Sequence, residues 1–290
     1  MLDEQLRTIR EVRVRDPRAI AAAAAQRRRR PFVGPAGRLL IIAADHPARG
    51  SLAAGDRPLA MASRSDMLDR IMVAIARPGV DGVLGTADVL EDLLLLGALD
   101  GKIALGSMNR GGLQGSSFEM DDRFTGYTAR GIDAAHFDGG KMLLRIDPGD
   151  PATAATLHAC GAAVTALAEY GLIAMIEPFM VTRTSQQRSN DLSADAVIRA
   201  IAIASGLGTT SAYSWLKIPV VDDMERVAES FTLPAVLLGG ELGTSPDEML
   251  ARWQRALTLP NIFGLVVGRN LLYPPGDDVA AAVDTAVSLL

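Results

Sequence analysis

The sequence is poor in the residue types on which disulfide-stabilised and metal-dependent proteins rely. Its 290 residues include one cysteine, three histidines and 4% aromatic residues. Because Cys160 is the single cysteine, no disulfide can form within the chain, and we expect it to lie in the core. Two of the three histidines, His136 and His158, fall on or near predicted helices, whereas a catalytic zinc site needs several converging imidazoles. We therefore expect neither a metal ion nor another cofactor.

Long apolar runs and a strong charge of one sign are also absent. No run reaches the roughly 20 apolar residues that a membrane helix needs, and Val89–Leu99 is interrupted by Glu91 and Asp92. The first residues lack the apolar stretch of a secretion signal. The net charge of −5 gives no reason to expect nucleic acid as a partner. These absences favour a cytoplasmic protein that binds neither a membrane nor nucleic acid.

Lysine is the rarest charged residue of the chain. Three of the 29 basic residues are lysines, Lys102, Lys141 and Lys217, and the others are arginines. A general preference for arginine would explain this ratio. Arginine, however, stays protonated at any working pH and cannot attack a carbonyl as an amine, whereas lysine can. Each lysine is therefore a candidate for chemistry.

Short apolar runs alternate with longer amphipathic segments, which is typical of βα units and a parallel sheet. Eight predicted strands, each followed by a predicted helix, favour one α/β domain, a (β/α)8 TIM barrel over residues 37–290, behind an N-terminal helical extension at residues 1–36. An open doubly wound sheet is the alternative, although no Gly-x-Gly-x-x-Gly motif follows the first strand. The predicted strands are Leu39–Asp45, Gly82–Gly85, Ile103–Ser107, Lys141–Ile146, Leu172–Phe179, Trp215–Val220, Ala235–Gly239 and Gly264–Gly268.

Two of the lysines lie in predicted strands. Lys217 is inside the sixth strand, and lysine is almost never fully buried without a partner. Desolvation or a neighbouring positive charge would lower its pKa and activate it as a nucleophile. Lys141 opens the fourth strand and can face Lys217, because alternate strands fill the same interior layers of a barrel. Either of these two lysines could instead form a salt bridge at a strand end. The third lysine, Lys102, precedes the third strand and is expected to be structural.

Two acidic residues lie at the ends of predicted strands. The alternation of side chains along each strand predicts that both point into the barrel interior. Glu177 has the parity of Ile173 and Met175 on the fifth strand, and Asp45, followed by His46, ends the first. A carboxylate in such a place is a candidate proton carrier or a partner of Lys141. A structural ion pair is the alternative for both.

Glycines follow the last two strands. Gly239-Gly240 come after the seventh strand and Gly268-Arg269 after the eighth, where barrel enzymes commonly bind phosphate. Arg269 adds positive charge, and His46 after the first strand is a further candidate for substrate binding. The two motifs together predict a phosphorylated substrate.

Two further segments are notable. The Gly/Ser-rich loop at residues 109–118 follows the third strand, on the face where barrel active sites are built. The run Arg27–Arg30 could contact an anionic partner, but a solvated or subunit-facing helix end is the simpler interpretation.

These motifs together resemble the class I, Schiff-base aldolases of the deoxyribose-phosphate aldolase superfamily, in particular the LacD-type tagatose-bisphosphate and archaeal-type fructose-bisphosphate aldolases. The resemblance spans about residues 39–272. The segments that carry it are Ala44-Asp-His-Pro-Ala-Arg-Gly-Ser-Leu, Lys141-Met-Leu-Leu-Arg-Ile-Asp-Pro-Gly-Asp-Pro, Ile176-Glu-Pro-Phe, Trp215-Leu-Lys-Ile-Pro-Val, Leu238-Gly-Gly-Glu and Val267-Gly-Arg-Asn.

The resemblance implies a Schiff base between Lys217 and a ketone or aldehyde, with Lys141, Glu177 and Asp45 handling protons and hydroxyls. It also suggests a homo-oligomer. Two departures leave the substrate open, since Val236 stands where deoxyribose-phosphate aldolases have a second lysine and Phe179 where archaeal-type enzymes have a tyrosine. A phosphorylated keto sugar or sugar acid is expected, for which 5-dehydro-2-deoxyphosphogluconate of inositol breakdown is one candidate by family association.

Two rival functions remain open on the same scaffold, because fold does not determine chemistry. One is a barrel isomerase or a thiolase-like acyl-transfer enzyme. The other is a barrel that binds a sugar phosphate without catalysis.

Overall fold

The computed structural model describes residues 2–183, 188–239 and 245–290. A 3₁₀ turn, His46–Arg49, follows the first strand. The strands within these residues are β1 Leu39–Ala43, β2 Gly82–Gly85, β3 Ile103–Ser107, β4 Gly139–Ile146, β5 Ile173–Arg183, β6 Arg188–Asn190, β7 Ser214–Ile218, β8 Ala235–Leu238 and β9 Ile262–Val267. The helices are α1 Leu2–Arg15, α2 Arg18–Gln26, α3 Arg64–Ala76, α4 Ala87–Leu95, α5 Ala129–Ala134, α6 Ala152–Glu169, α7 Ala194–Ser205, α8 Met224–Glu229, α9 Pro246–Ala256, α10 Arg269–Leu272 and α11 Val279–Val287.

Eight parallel strands of this part of the chain close into a barrel. They pair in the order β1, β2, β3, β4, β5, β7, β8, β9, and β9 pairs again with β1. The β4–β5 and β1–β9 pairings exclude the open sheet, and the TIM barrel with N-terminal helices is confirmed. All eight predicted strands exist, within a few residues of the predicted bounds.

Three local features differ from the predicted elements. β5 runs to Arg183 and pairs with β6 as an antiparallel hairpin above the barrel. The N-terminal helical region is broken at Pro17, which caps α2, and helix ends at Gln26. A short helix, α10, follows β9 directly.

Side chains alternate between two hydrophobic clusters, as strands buried on both faces require. One cluster lies between the strands and the surrounding helices, and the other fills the barrel interior. At the N-terminal end of the interior, Trp215 packs edge-on against Phe32 and Phe263, with ring centroids 5.1 and 5.7 Å away. These rings close the lower end of the barrel, and Cys160 lies buried in the outer cluster as predicted.

The Arg27–Arg30 run is not part of a helix, and two of its side chains are solvated, with Arg28 82% and Arg29 50% exposed. It follows α2 as extended chain, and each arginine pairs with an aspartate of the barrel. The pairs are Arg27 and Arg29 with Asp138, Arg28 with Asp100, and Arg30 with Asp81. Asp81 and Asp138 also accept backbone N–H groups at the starts of β1 and β3. The run therefore fastens the extension to the N-terminal end of the barrel, away from the cavity described below.

Lys102 has a structural contact, as predicted. Its Nζ donates to the Val80 carbonyl at 2.6 Å. No helix among the described residues is both long and apolar enough to span a bilayer.

Candidate active site

Four of the predicted site residues meet at the C-terminal end of the barrel. They are Lys217 on β7, Lys141 on β4, Glu177 on β5 and Asp45 directly after β1. Each continues the inward parity of its strand, and this brings residues that are far apart in sequence to one point. Their side chains are between 0 and 10% exposed.

Glu177 joins the two lysines. Its Oε1 lies 2.8 Å from Lys217 Nζ, and its Oε2 contacts Lys141 Nζ. One carboxylate thus pairs with two ammonium groups, and each of its oxygens is occupied by a different amine.

Asp45 forms a second centre next to this triad. Its Oδ2 accepts hydrogen bonds from Ser107 Oγ at 3.0 Å, from Arg110, and from Lys141 Nζ at 3.5 Å. Lys141 therefore bridges the two carboxylates. Ser107 and Arg110 were not predicted as site residues, although the inward parity of β3 could have identified Ser107. The loop after β3 was noted for its position, but nothing in its sequence distinguishes Arg110 from other loop arginines.

The charges of this cluster shift the pKa values of its members. Burial opposes ionisation of Glu177, but the charges of Lys141 and Lys217 outweigh it, and the pKa of Glu177 falls well below its usual range. Burial likewise opposes ionisation of Asp45, and Arg110 and Lys141 lower its pKa in the same way. Burial and then the charge of Arg110 lower the pKa of Lys141 to about 8. Lys141 can therefore exchange a proton near neutral pH.

His46 is a neutral imidazole in this setting. It opens the 3₁₀ turn after β1, and its Nδ1 lies 4.0 Å from Asp45 Oδ1. Removal from bulk water lowers the pKa of His46 to about 3, even though Asp45 acts in the opposite direction. His46 can thus donate or accept a hydrogen bond in the cavity but carries no charge at neutral pH.

A cavity of about 850 Å³ opens above these residues. Lys217, Glu177 and His46 line it, whereas Lys141 and Asp45 lie beneath it and are fully buried. A ligand in the cavity can therefore contact Lys217 directly. Lys141 and Asp45 can act on such a ligand only through their neighbours.

The cavity is rich in arginine. Arg145 binds Asp122 through two nitrogens, each at 2.8 Å, and Glu119 through a third, and Arg49 also contacts Glu119. The cations Arg49, Arg110, Lys141, Arg145 and Lys217 and the carboxylates Asp45, Glu119, Asp122 and Glu177 lie together in this site, and Arg269 lines the cavity beside them. With His46 neutral, six cations against four carboxylates leave a net charge of +2. Such a site favours an anionic ligand.

The predicted phosphate-binding residues line one side of the cavity. Gly239, Gly268 and Arg269 all face it, and Arg269 has a backbone partner, the Ala53 carbonyl at 3.2 Å. A Cβ on Gly268 would overlap the Ala43 carbonyl and would lie 2.8 Å from the His46 ring. Glycine is thus required there by close packing. Gly240, the remaining predicted member, lies outside the described residues.

Among residues 2–183, 188–239 and 245–290, no three His, Cys, Asp or Glu side chains are arranged to hold a metal ion.

Comparison with known proteins gives a family and a distant structural relation. A family model described as Cgl0159-like matches residues 37–287. No curated protein matches the chain. The crystal structure of Cgl0159 from Corynebacterium glutamicum is 53% identical and superposes with a TM-score of 0.96, over 99% of this chain and 96% of that one.

Two aldolase structures share the barrel at low identity. An archaeal fructose-1,6-bisphosphate aldolase, solved with its catalytic lysine covalently bound to the carbinolamine intermediate of the substrate, is 15% identical with a TM-score of 0.66. That match covers 93% of this chain and 98% of the aldolase. A fructose-bisphosphate aldolase from Slackia heliotrinireducens is 15% identical with a TM-score of 0.60, over 95% of this chain and 91% of that one. At this identity the likeness establishes a common fold.

Proposed function

This chain belongs to the Cgl0159-like family, and we propose that it acts as a class I aldolase, a carbon–carbon lyase that forms a Schiff base on Lys217. The observation that carries the proposal is the position of Lys217. It is the lysine that both lines the cavity and pairs with a buried carboxylate, which a second lysine shares. A purely structural ion pair would need neither the second lysine nor access to a cavity.

The distant aldolases support the proposal without deciding it. One of them is described as carrying its intermediate on a catalytic lysine, and the fold that it shares with this chain can present an inward lysine at the same end of a barrel.

The chemistry begins with the neutral amine of Lys217, which attacks the carbonyl carbon of the substrate. A C–N bond forms as the C=O π bond breaks, the nitrogen loses a proton and the oxygen gains one, giving a neutral carbinolamine. A second proton on that oxygen allows water to leave, and an iminium ion remains. A base then removes the proton of the hydroxyl on the β carbon, the C–C bond breaks, and its electron pair flows to the iminium as an enamine. After the aldehyde leaves, protonation of the enamine carbon and hydrolysis by water release the ketone and regenerate the amine.

The residues around Lys217 suit these proton transfers. Glu177 accepts a hydrogen bond from Lys217 and from Lys141 at once, so a proton can pass between the two amines through its carboxylate. Lys141, with its pKa of about 8, is the group that can both take and give a proton near neutral pH. Since Lys141 does not line the cavity, we assign it to proton exchange with Lys217 through Glu177, with Asp45 holding it from below.

The charge of the site favours a phosphorylated substrate. A phosphate monoester carries about −1.5 to −2 at pH 7, which complements the excess of cations at this site. Gly239, Gly268 and Arg269 are the proposed phosphate ligands. A phosphorylated keto sugar or sugar acid fits, and 5-dehydro-2-deoxyphosphogluconate, which would yield dihydroxyacetone phosphate and malonate semialdehyde, is the candidate we would assay first.

Borohydride trapping tests the proposal directly. The protein is incubated with dihydroxyacetone phosphate and sodium borohydride, and the adduct is located by peptide mass spectrometry. We expect one covalent adduct on Lys217 and none in Lys217→Arg, which keeps the charge but has no nucleophilic amine. Lys102→Arg, at the other end of the barrel, is the matched control and should be labelled as the wild type is.

An adduct that persists in Lys217→Arg, or a protein that cleaves a sugar phosphate without any trapped lysine, would rule out this mechanism. A panel of phosphorylated keto sugars and sugar acids, followed by release of dihydroxyacetone phosphate, would then identify the substrate. Binding of these compounds without turnover would instead support the non-catalytic alternative.

A further inference from the structure

Arg110 is a buried arginine that belongs to none of the strand-end motifs. It lies in the loop after β3, and its side chain is 9% exposed. One guanidinium nitrogen donates to Asp45 Oδ2, the oxygen that also accepts from Ser107 Oγ and Lys141 Nζ. Arg110 also lines the cavity that Lys217 faces.

The backbone on either side of Arg110 is fixed. The side chain of Asn109 pairs with both backbone groups of Leu143, donating from Nδ2 at 2.6 Å and accepting at Oδ1 at 2.7 Å. On the other side, the Gly111 N–H donates to the Arg123 carbonyl at 3.2 Å. The guanidinium is therefore presented by a segment with little freedom, which is how proteins hold groups that must keep their geometry.

Lys141 is surrounded by charged and polar groups from several elements. They are Asp45 after β1, Ser107 at the end of β3, Arg110 in the next loop, Glu177 on β5 and Lys217 on β7. The two carboxylates favour the ammonium form of Lys141, and the two cations oppose it. Arg110 differs from Lys217 in that its charge is permanent.

We propose that Arg110 is a positioning residue for Lys141: it holds the Asp45 carboxylate between them, and its permanent charge favours the neutral amine of Lys141. The use of a neutral Lys141 in catalysis rests on the proposed aldolase function. The interaction itself can be measured without any substrate.

The electrostatics of the site support this role. Burial is the largest cause that lowers the pKa of Lys141, and Arg110 is the next. A general acid and base works best when its pKa lies near the operating pH. Without the charge of Arg110, Lys141 would remain an ammonium group over a wider pH range and would exchange protons less readily.

Because the chain has three lysines, the titration of Lys141 can be followed separately by NMR. Protein grown with ¹³C-labelled lysine gives three sets of side-chain NMR signals, which Lys102→Arg and Lys217→Arg assign. The pH at the midpoint of the Lys141 titration is then compared in wild type, Arg110→Gln and Arg110→Lys. Arg123→Gln is the matched control, because Arg123 lies in the same loop, is 78% exposed and pairs with Asp121.

We expect the midpoint in Arg110→Gln to rise by about one to three pH units, the usual effect of one nearby charge. Arg110→Lys should restore most of the wild-type value, and Arg123→Gln should leave it unchanged. Arg110→Met, whose apolar chain fills the same space, replaces Arg110→Gln if that variant does not fold. An unmoved midpoint in the neutral variant, or equal midpoints in the neutral and lysine variants, would overturn the proposal.

Trapping with dihydroxyacetone phosphate separates this proposal from the aldolase proposal. The pH at which adduct formation becomes fast should rise in Arg110→Gln together with the NMR midpoint. A shifted midpoint with no adduct in any variant would refute the aldolase function and leave the role of Arg110 standing. An adduct on Lys217 with no shift in the midpoint would support the aldolase function and refute the role of Arg110.

Discussion

Replacement of Lys141 by methionine should change how the stability of the protein depends on pH. Lys141 is fully buried, and burial together with Arg110 lowers its pKa from 10.5 to about 8. In the unfolded chain it titrates near the ordinary value. Between these two pH values the unfolded chain binds more protons than the folded one, so the free energy of unfolding rises with pH. Below about pH 8 Lys141 is charged in both states, and the cost of burying its charge is constant.

The displacement of this pKa corresponds to about 3 kcal/mol. Methionine has a similar length and no charge, so the variant lacks this dependence. The free energy of unfolding of the wild type minus that of Lys141→Met should therefore become more positive by about 3 kcal/mol between about pH 7.5 and pH 10.5.

Urea denaturation at a series of pH values, followed by the fluorescence of the buried tryptophans Trp215 and Trp253, measures this difference. Subtraction of the two curves removes the contribution of Lys102, whose pKa burial also lowers. A difference that does not vary with pH would show that the ammonium form of Lys141 is not penalised in the folded state. It would refute the reasoning about its proton exchange.

Two further predictions concern the barrel's ends. Arg27→Met leaves the carboxylate of Asp138 without its buried partner, and we expect a loss of about 3–5 kcal/mol in the free energy of unfolding. Arg28→Ala removes an exposed pair with Asp100 and should leave denaturation curves unchanged. Equal effects of the two substitutions would contradict the assigned contacts. His46 should stay neutral throughout the range from pH 5 to 8, since its pKa is lowered to about 3. Ring-proton NMR shifts that titrate near 6.5 would disprove its removal from bulk water.

The sequence alone was enough to predict which side chains of each strand point into the barrel. Alternation along a strand is local, because successive side chains point to opposite faces whatever the rest of the chain does. The eight apolar runs therefore predicted the barrel, and the polar residues at inward positions, Lys141, Glu177, Lys217 and Asp45, were correctly predicted to lie together. The scarcity of lysine pointed to Lys141 and Lys217 on chemical grounds.

Tertiary structure alone decided how these groups are connected. That Glu177 divides its two oxygens between the lysines depends on the register of β4, β5 and β7, and that Lys141 lies below the cavity depends on the depth of each layer. Neither can be read from a periodicity. Arg110 and the Arg27–Arg30 run show the same limit for residues outside the strands. Each of these arginines meets an aspartate 51 to 111 residues away, and that contact exists only once the chain has folded. The sequence thus determined which residues enter the barrel, and the folded chain determined which charges they meet there, since side-chain direction is a local property and electrostatic environment is not.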